Sequence, residues 1–126
     1  MAEPRYVFPD DVPPPGGPYS PVVVVGGLAF ICGQVPRTPA GERVADDIET
    51  QTRQVFTNME NCLSAVGCSF ADVVKVNAFL ADWSDFAGFN EVYKSVFAEP
   101  YPVRTTVPAP MPTIRVEVEC VARVRS

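Results

Sequence analysis

Residues 114–124, "IRVEVECVARV", alternate between apolar and polar positions. Ile114, Val116, Val118, Cys120, Ala122 and Val124 fall on one side of an extended chain, and Arg115, Glu117, Glu119, Val121 and Arg123 on the other. A period of two predicts a strand with one buried face. The run "VVVV" at 22–25, the pair Gly26–Gly27 and "LAFIC" at 28–32 predict a hairpin. From Asp46 to Val66 the period lengthens: Ile48, Val55, Phe56, Met59, Cys62, Leu63 and Val66 share one helical face. Asp46 or Asp47 is placed to cap this helix, and Gly67 stands where a left-handed residue ends one. Within residues 71–83 a further strand is expected, with Val74, Val76, Ala78 and Leu80 alternating against Val73, Lys75, Asn77 and Phe79. A second helix is expected over about residues 84–97, capped near Ser84 or Asp85, with Phe86, Phe89, Val92, Tyr93, Val96 and Phe97 inward. "VRTTV" at 103–107 predicts a short strand. The order β-β-α-β-α-β-β suggests a single mixed sheet with two helices on one face, an α+β architecture. The uncovered face, bearing Glu117, is left to solvent or to another subunit.

Composition narrows what such a fold could do. The 126 residues suit one domain, with residues 1–18, "MAEPRYVFPDDVPPPGGP", as a proline-rich arm. The net charge is −5 and no run of basic residues occurs, which argues against a nucleic-acid surface. No stretch approaches a membrane span and no signal pattern opens the chain, so a cytoplasmic protein is expected. Cys32, Cys62, Cys68 and Cys120 lack metal-site spacing and are expected to be reduced thiols. There is no histidine. That excludes a Ser–His or Cys–His pair and the zinc deaminase signature. Catalysis would rest on carboxylate, guanidinium, hydroxyl, thiol, backbone and water.

"GPYSP" (17–21), "FICGQVP" (30–36), residues 48–97, "PVRTTV" (102–107) and "IRVEVECVARV" (114–124) together resemble the RidA/YjgF family of reactive-intermediate deaminases, historically called L-PSP endoribonucleases. The likeness covers about residues 12–125. It implies a chorismate-mutase-like α+β fold and a homotrimer with sites in the clefts between subunits. It further implies hydrolysis of 2-enamino or 2-imino acids to 2-keto acids and ammonia, with no cofactor and no metal. In that pattern Arg104 would grip the substrate carboxylate and Glu117 would hold and polarise the attacking water. Tyr19 would border the cleft, Asn90 matches the family's cleft asparagine, Gly33 belongs to its "SGQ"-like turn, and Thr106 lies beside the site. Cys32 stands where the family commonly has serine, and a thiol is a weaker donor than a hydroxyl. The connection "VPAPMPT" between Arg104 and Glu117 is shorter than in the archetypal bacterial members.

The residues suit this chemistry. A guanidinium fork matches a carboxylate, and a carboxylate can take a proton from water and return it to the departing amine. Other readings stay open from sequence: a pathway-specific enamine such as 2-aminomuconate or aminoacrylate, RNA cleavage with translation inhibition, and a non-catalytic metabolite-binding or chaperone-like protein. Glu119 shares Glu117's face and is expected to pair with Arg115 or Arg123.

Overall fold

A computed structural model describes residues 3–125. Six strands form one sheet in the order β1-β2-β3-β6-β4-β5: β1 (Arg5–Val7), β2 (Val22–Val25), β3 (Leu28–Gln34), β4 (Val73–Leu80), β5 (Val103–Pro108) and β6 (Val116–Arg123). All neighbours are antiparallel except β4 and β5. That parallel pair requires a crossover, which α2 (Phe86–Val96) supplies; α1 (Ile48–Ser64) joins β3 to β4. The result is the α+β mixed sheet expected from the periodicities.

Local chemistry sets the element ends. Gly26 and Gly27 have φ of 60° and 78°, the doubly positive pair that a tight hairpin turn needs. Asp47 caps α1, its carboxylate accepting from the Thr50 N–H at 2.9 Å. At the other end Gly67 adopts φ 74°, and the Gly67 and Cys68 N–H groups close back on the Ser64 and Leu63 carbonyls. Asp82 accepts from the Ser84 N–H, starting the turn at Trp83–Asp85 that leads into α2.

The core lies between the sheet and the helices. Val22, Ala29, Val76, Ala78, Leu80, Val116, Val118 and Ala122 of the sheet are fully buried, as are Val55, Met59 and Leu63 of α1 and Phe89 and Val92 of α2. Phe56, Phe89, Tyr93 and Phe97 pack as stacked, tilted and edge-on rings, each good pair adding about 0.5–1.5 kcal/mol beyond area. The other sheet face stays open, with Phe30, Val74, Val103 and Val107 exposed. Among the described residues no helix is long and apolar enough to cross a membrane.

Four expectations change. The N-terminal arm contains β1, whose residues pair with Val22–Val24 at the sheet edge. Val74 is exposed and Val73 buried, because the β4–β6 register shifts between Val73 and Lys75. β6 begins at Val116, not Ile114, since Arg115 turns away to Asp46 at 3.1 Å and Asp85 at 3.2 Å. Glu119 pairs with neither Arg115 nor Arg123; it accepts from Asn77 at 3.2 Å, while Arg123 reaches Asp72.

Candidate functional site

Arg104 sits on β5, an edge strand. It pairs in parallel register with Val76, so its side chain shares Val76's face and runs beneath α2. Its guanidinium carbon lies 4.6 Å from the Tyr93 ring centroid, 5.5 Å from that of Phe89 and 5.8 Å from that of Phe86. Three aromatic faces therefore hold the cation by their negative quadrupoles. Among the described residues no carboxylate pairs with it.

The polar groups around Arg104 are also unused. Asn90 Oδ1, the Tyr93 hydroxyl and Thr106 Oγ1 are buried without a hydrogen-bond partner among the described residues. Thr106 follows Arg104 by two residues on the same face, opposite Ala78. Asn90, Tyr93 and Arg104 line a cavity of about 310 Å³ with Lys94, Tyr101 and Pro102. Burial pushes the Tyr93 hydroxyl pKa up, while the Arg104 charge pulls against it; at neutral pH the hydroxyl keeps its proton and can donate. An unpaired fork beside neutral donors and acceptors is a setting for a small carboxylate.

Glu117 sits on β6 opposite Phe79, on the open face. The neighbouring strand bulges there: Ile31 pairs with Cys120 and Gln34 with Val118, so Cys32 and Gly33 together oppose Glu119. Bulges of this kind re-aim side chains and strand edges. Gly33 permits the close approach that follows, because a β-carbon there would lie 2.9 Å from the Glu117 carboxyl carbon. Burial first, and the Glu119 charge second, push the Glu117 carboxyl above its usual range.

Cys32 and Tyr19 complete this second cluster. Gln34 Nε2 donates to the Cys32 carbonyl at 3.1 Å and to its sulfur at 3.4 Å. Burial, then the Glu117 charge, push the Cys32 thiol up, which keeps it protonated. Tyr19 accepts from the Gly16 N–H at 3.1 Å, leaving its hydroxyl hydrogen for another acceptor. It lines a narrow crevice of about 40 Å³ with Cys32, Gly33 and Gln34.

The seven predicted residues thus form two groups. Arg104, Asn90 and Thr106 gather beneath α2; Glu117, Gly33, Cys32 and Tyr19 gather around the β3 bulge and its open face. Within one chain the groups do not meet. β4 separates β5 from β6, so Arg104 and Glu117 are two strands, roughly 10 Å, apart in the hydrogen-bonding direction, and they project to opposite faces. Sequence reasoning places Tyr93, Phe89 and Phe86 in the core and misses that they also cradle Arg104. The one available signal is the Tyr93 hydroxyl, a polar atom in an otherwise apolar helical stripe.

Known proteins resemble the chain along nearly its whole length. The family described as endoribonuclease L-PSP matches residues 10–124. A RutC family protein of Pyrococcus horikoshii is 43% identical over 119 residues, 92% of this chain and 94% of the relative. A 2-iminobutanoate/2-iminopropanoate deaminase of Dermatophagoides farinae is 38% identical over 124 residues, 96% of this chain and 97% of the relative. The crystal structure of E. coli TdcF with bound serine superposes with a TM-score of 0.88 at 36% identity, covering 97% of this chain and 99% of that one.

Proposed function

The chain belongs to the endoribonuclease L-PSP family, the RidA/YjgF proteins, and from that premise we propose that it hydrolyses reactive 2-imino and 2-enamino acids to 2-keto acids and ammonia. The observation that carries this reading is the unpaired Arg104 fork among the orphaned polar atoms of Asn90, Tyr93 and Thr106. The Arg104 guanidinium binds the substrate carboxylate. Asn90 and Thr106 accept or donate beside it. A relative named for deaminating 2-iminobutanoate and 2-iminopropanoate supports this substrate class, and a solved relative holding serine supports a ligand with an amino-acid carboxylate.

Glu117 supplies the proton chemistry. Water held on its carboxylate attacks the C=N carbon. The carboxylate takes one water proton as the oxygen adds to the protonated imine, giving a neutral carbinolamine. That proton passes to the amine nitrogen, the hydroxyl gives its own proton to the carboxylate as the C–N bond breaks, and ammonia leaves the keto acid behind. Such acid–base help typically gives about 10²–10⁴-fold. The raised Glu117 pKa supports this role, since a stronger base takes water's proton more readily. Tyr19 and Cys32 border the water side, and Gly33 keeps the carboxylate in place.

Because the two groups lie on opposite faces, this reading requires a second copy. One copy contributes Arg104 and its neighbours, and the next contributes Glu117. A homotrimer with clefts between subunits satisfies that requirement, and the exposed apolar residues of the open face support it. Four free cysteines support a reducing compartment such as the cytoplasm.

The test generates 2-iminopropanoate with an amino acid oxidase and traps it with semicarbazide. The wild-type protein is expected to suppress semicarbazone formation. Arg104→Ala is expected to lose about ten- to a hundredfold through the missing charged hydrogen bonds alone. Equal semicarbazone with and without wild-type protein would sink the deaminase reading.

A further inference from the structure

A third cavity, of about 380 Å³, lies between the loop around Arg37 and the segment leading into β6. It shares no lining residue with the cavities at Arg104 and Tyr19. Three arginines, Arg37, Arg43 and Arg115, line it in a chain whose net charge is −5. Arg115 is already committed to Asp46 and Asp85. Arg37 and Arg43 are not: among the described residues neither has a carboxylate within ion-pairing distance. The Arg37 side chain makes one long bond, 3.5 Å, to the neutral Thr113 hydroxyl.

These two arginines also face each other across an isolated antiparallel bridge. Like charges directly opposite in such a pair are destabilising. Backbone pairing sets these two like-charged residues side by side, and among the described residues neither has an ion-pair partner.

Gln51 gives an independent observation. It is only 5% exposed and lines the same cavity. Its amide oxygen accepts from the Arg115 N–H at 2.8 Å, which orients the group. Its amide nitrogen makes no hydrogen bond among the described residues and remains free to donate. Two guanidinium groups without a carboxylate partner and the amide of Gln51 thus line one cavity, all of them donors that an oxyanion could accept from.

We propose that this cavity binds a small metabolite with one anionic head, a phosphate or a carboxylate, between Arg37, Arg43 and Gln51. Both heads match an arginine fork. The volume lies within the range of small-molecule sites. The Asp46 carboxylate at the rim limits the ligand to one charged end and a neutral body.

Isothermal titration calorimetry at constant ionic strength would test this, using glycerol 3-phosphate and glycerate as probes with one body and two heads. Saturable binding of either is expected, and the better one identifies the head. Arg43 is exposed and its side chain has no ion pair to lose among the described residues. Arg43→Gln is therefore expected to melt no lower than wild type without ligand, yet to bind the preferred probe at least about fivefold more weakly. Arg104→Ala is expected to keep that binding. The proposal fails if neither probe binds saturably, if Arg43→Gln loses less than this, or if Arg104→Ala abolishes the binding. Deaminase activity in the semicarbazide assay is read separately, so either proposal can fail alone.

Discussion

Glu117 carries its charge against two neighbours that oppose it. Half-burial against Gly33 removes water from the carboxylate, and Glu119 adds a like charge on the same face. Both favour the protonated acid, so its pKa lies above the ordinary carboxylate range. A base works only when deprotonated; activity should therefore fall as pH drops through this raised value, earlier than for an unperturbed glutamate. Glu119→Gln removes the smaller of the two causes and leaves burial in place. Its acid limb in kcat/KM is expected to move to lower pH, with the fold intact, because the oxygen of the new side-chain amide can still accept from Asn77. The substrate's own protonation is common to both proteins, so the difference between the two profiles isolates Glu117. An unmoved limb, or one moved upward, would mean that another group sets it. At this scale the sequence exposed the identities of Glu117 and Gly33 but not their contact, which depends on a bulge that alternation does not reveal.

α2 joins the core to the candidate site. One side of it buries Phe89 and Tyr93, whose rings also face Arg104. Near its start Gly88 meets Ile48 at the start of α1, where an added β-carbon would lie 2.6 Å from Ile48 Cγ2. Gly88→Ala would gain up to about 1 kcal/mol in helix propensity. Overpacking would cost about 1–3 kcal/mol, because the branched Ile48 side chain has little freedom to swing aside. The expected outcome is a lower melting temperature with a raised KM, as α2 shifts its rings relative to Arg104. Adding Ile48→Ala should restore KM more than stability. A Gly88→Ala protein that melts at or above wild type would show that the helices have room to adjust. Elements with local causes were legible in the sequence: the Gly26–Gly27 hairpin, α1 with its cap at Asp46 or Asp47 and its Gly67 terminus, and the apolar stripe of α2. β1 was not, because three residues in a proline-rich arm gain a partner only from Val22–Val24, far along the chain. The start of β6 was misplaced for a similar reason, since Arg115 is drawn off by Asp46 and Asp85, both remote in sequence. The Arg37, Arg43 and Arg115 cluster was hidden too, because no run of basic residues announces it.

For the molecule as a whole, the arrangement of faces is the main constraint. Arg104 lies under α2 and Glu117 on the open face, so a site using both is complete only where one chain's β5 edge meets another chain's β3–β6 face. Such a contact is heterologous, and a heterologous contact closes into a ring when its rotation permits. The homotrimer enters the sequence reading only through family resemblance; the opposed faces give a physical reason for a second copy. Mixing tests this directly. Arg104→Ala and Glu117→Ala proteins, each strongly impaired alone, would be unfolded together in equal amounts and refolded. Random assembly should place an intact Arg104 against an intact Glu117 in roughly a quarter of the clefts, and activity should recover to about that fraction of wild type. Each protein refolded alone, then combined without exchange, should show only the low activity of the single variants. If both residues instead served a site within one chain, every site in the mixture would carry a lesion and no activity would return. Recovery without any oligomer in solution would be equally damaging, because the shared cleft requires two chains to touch.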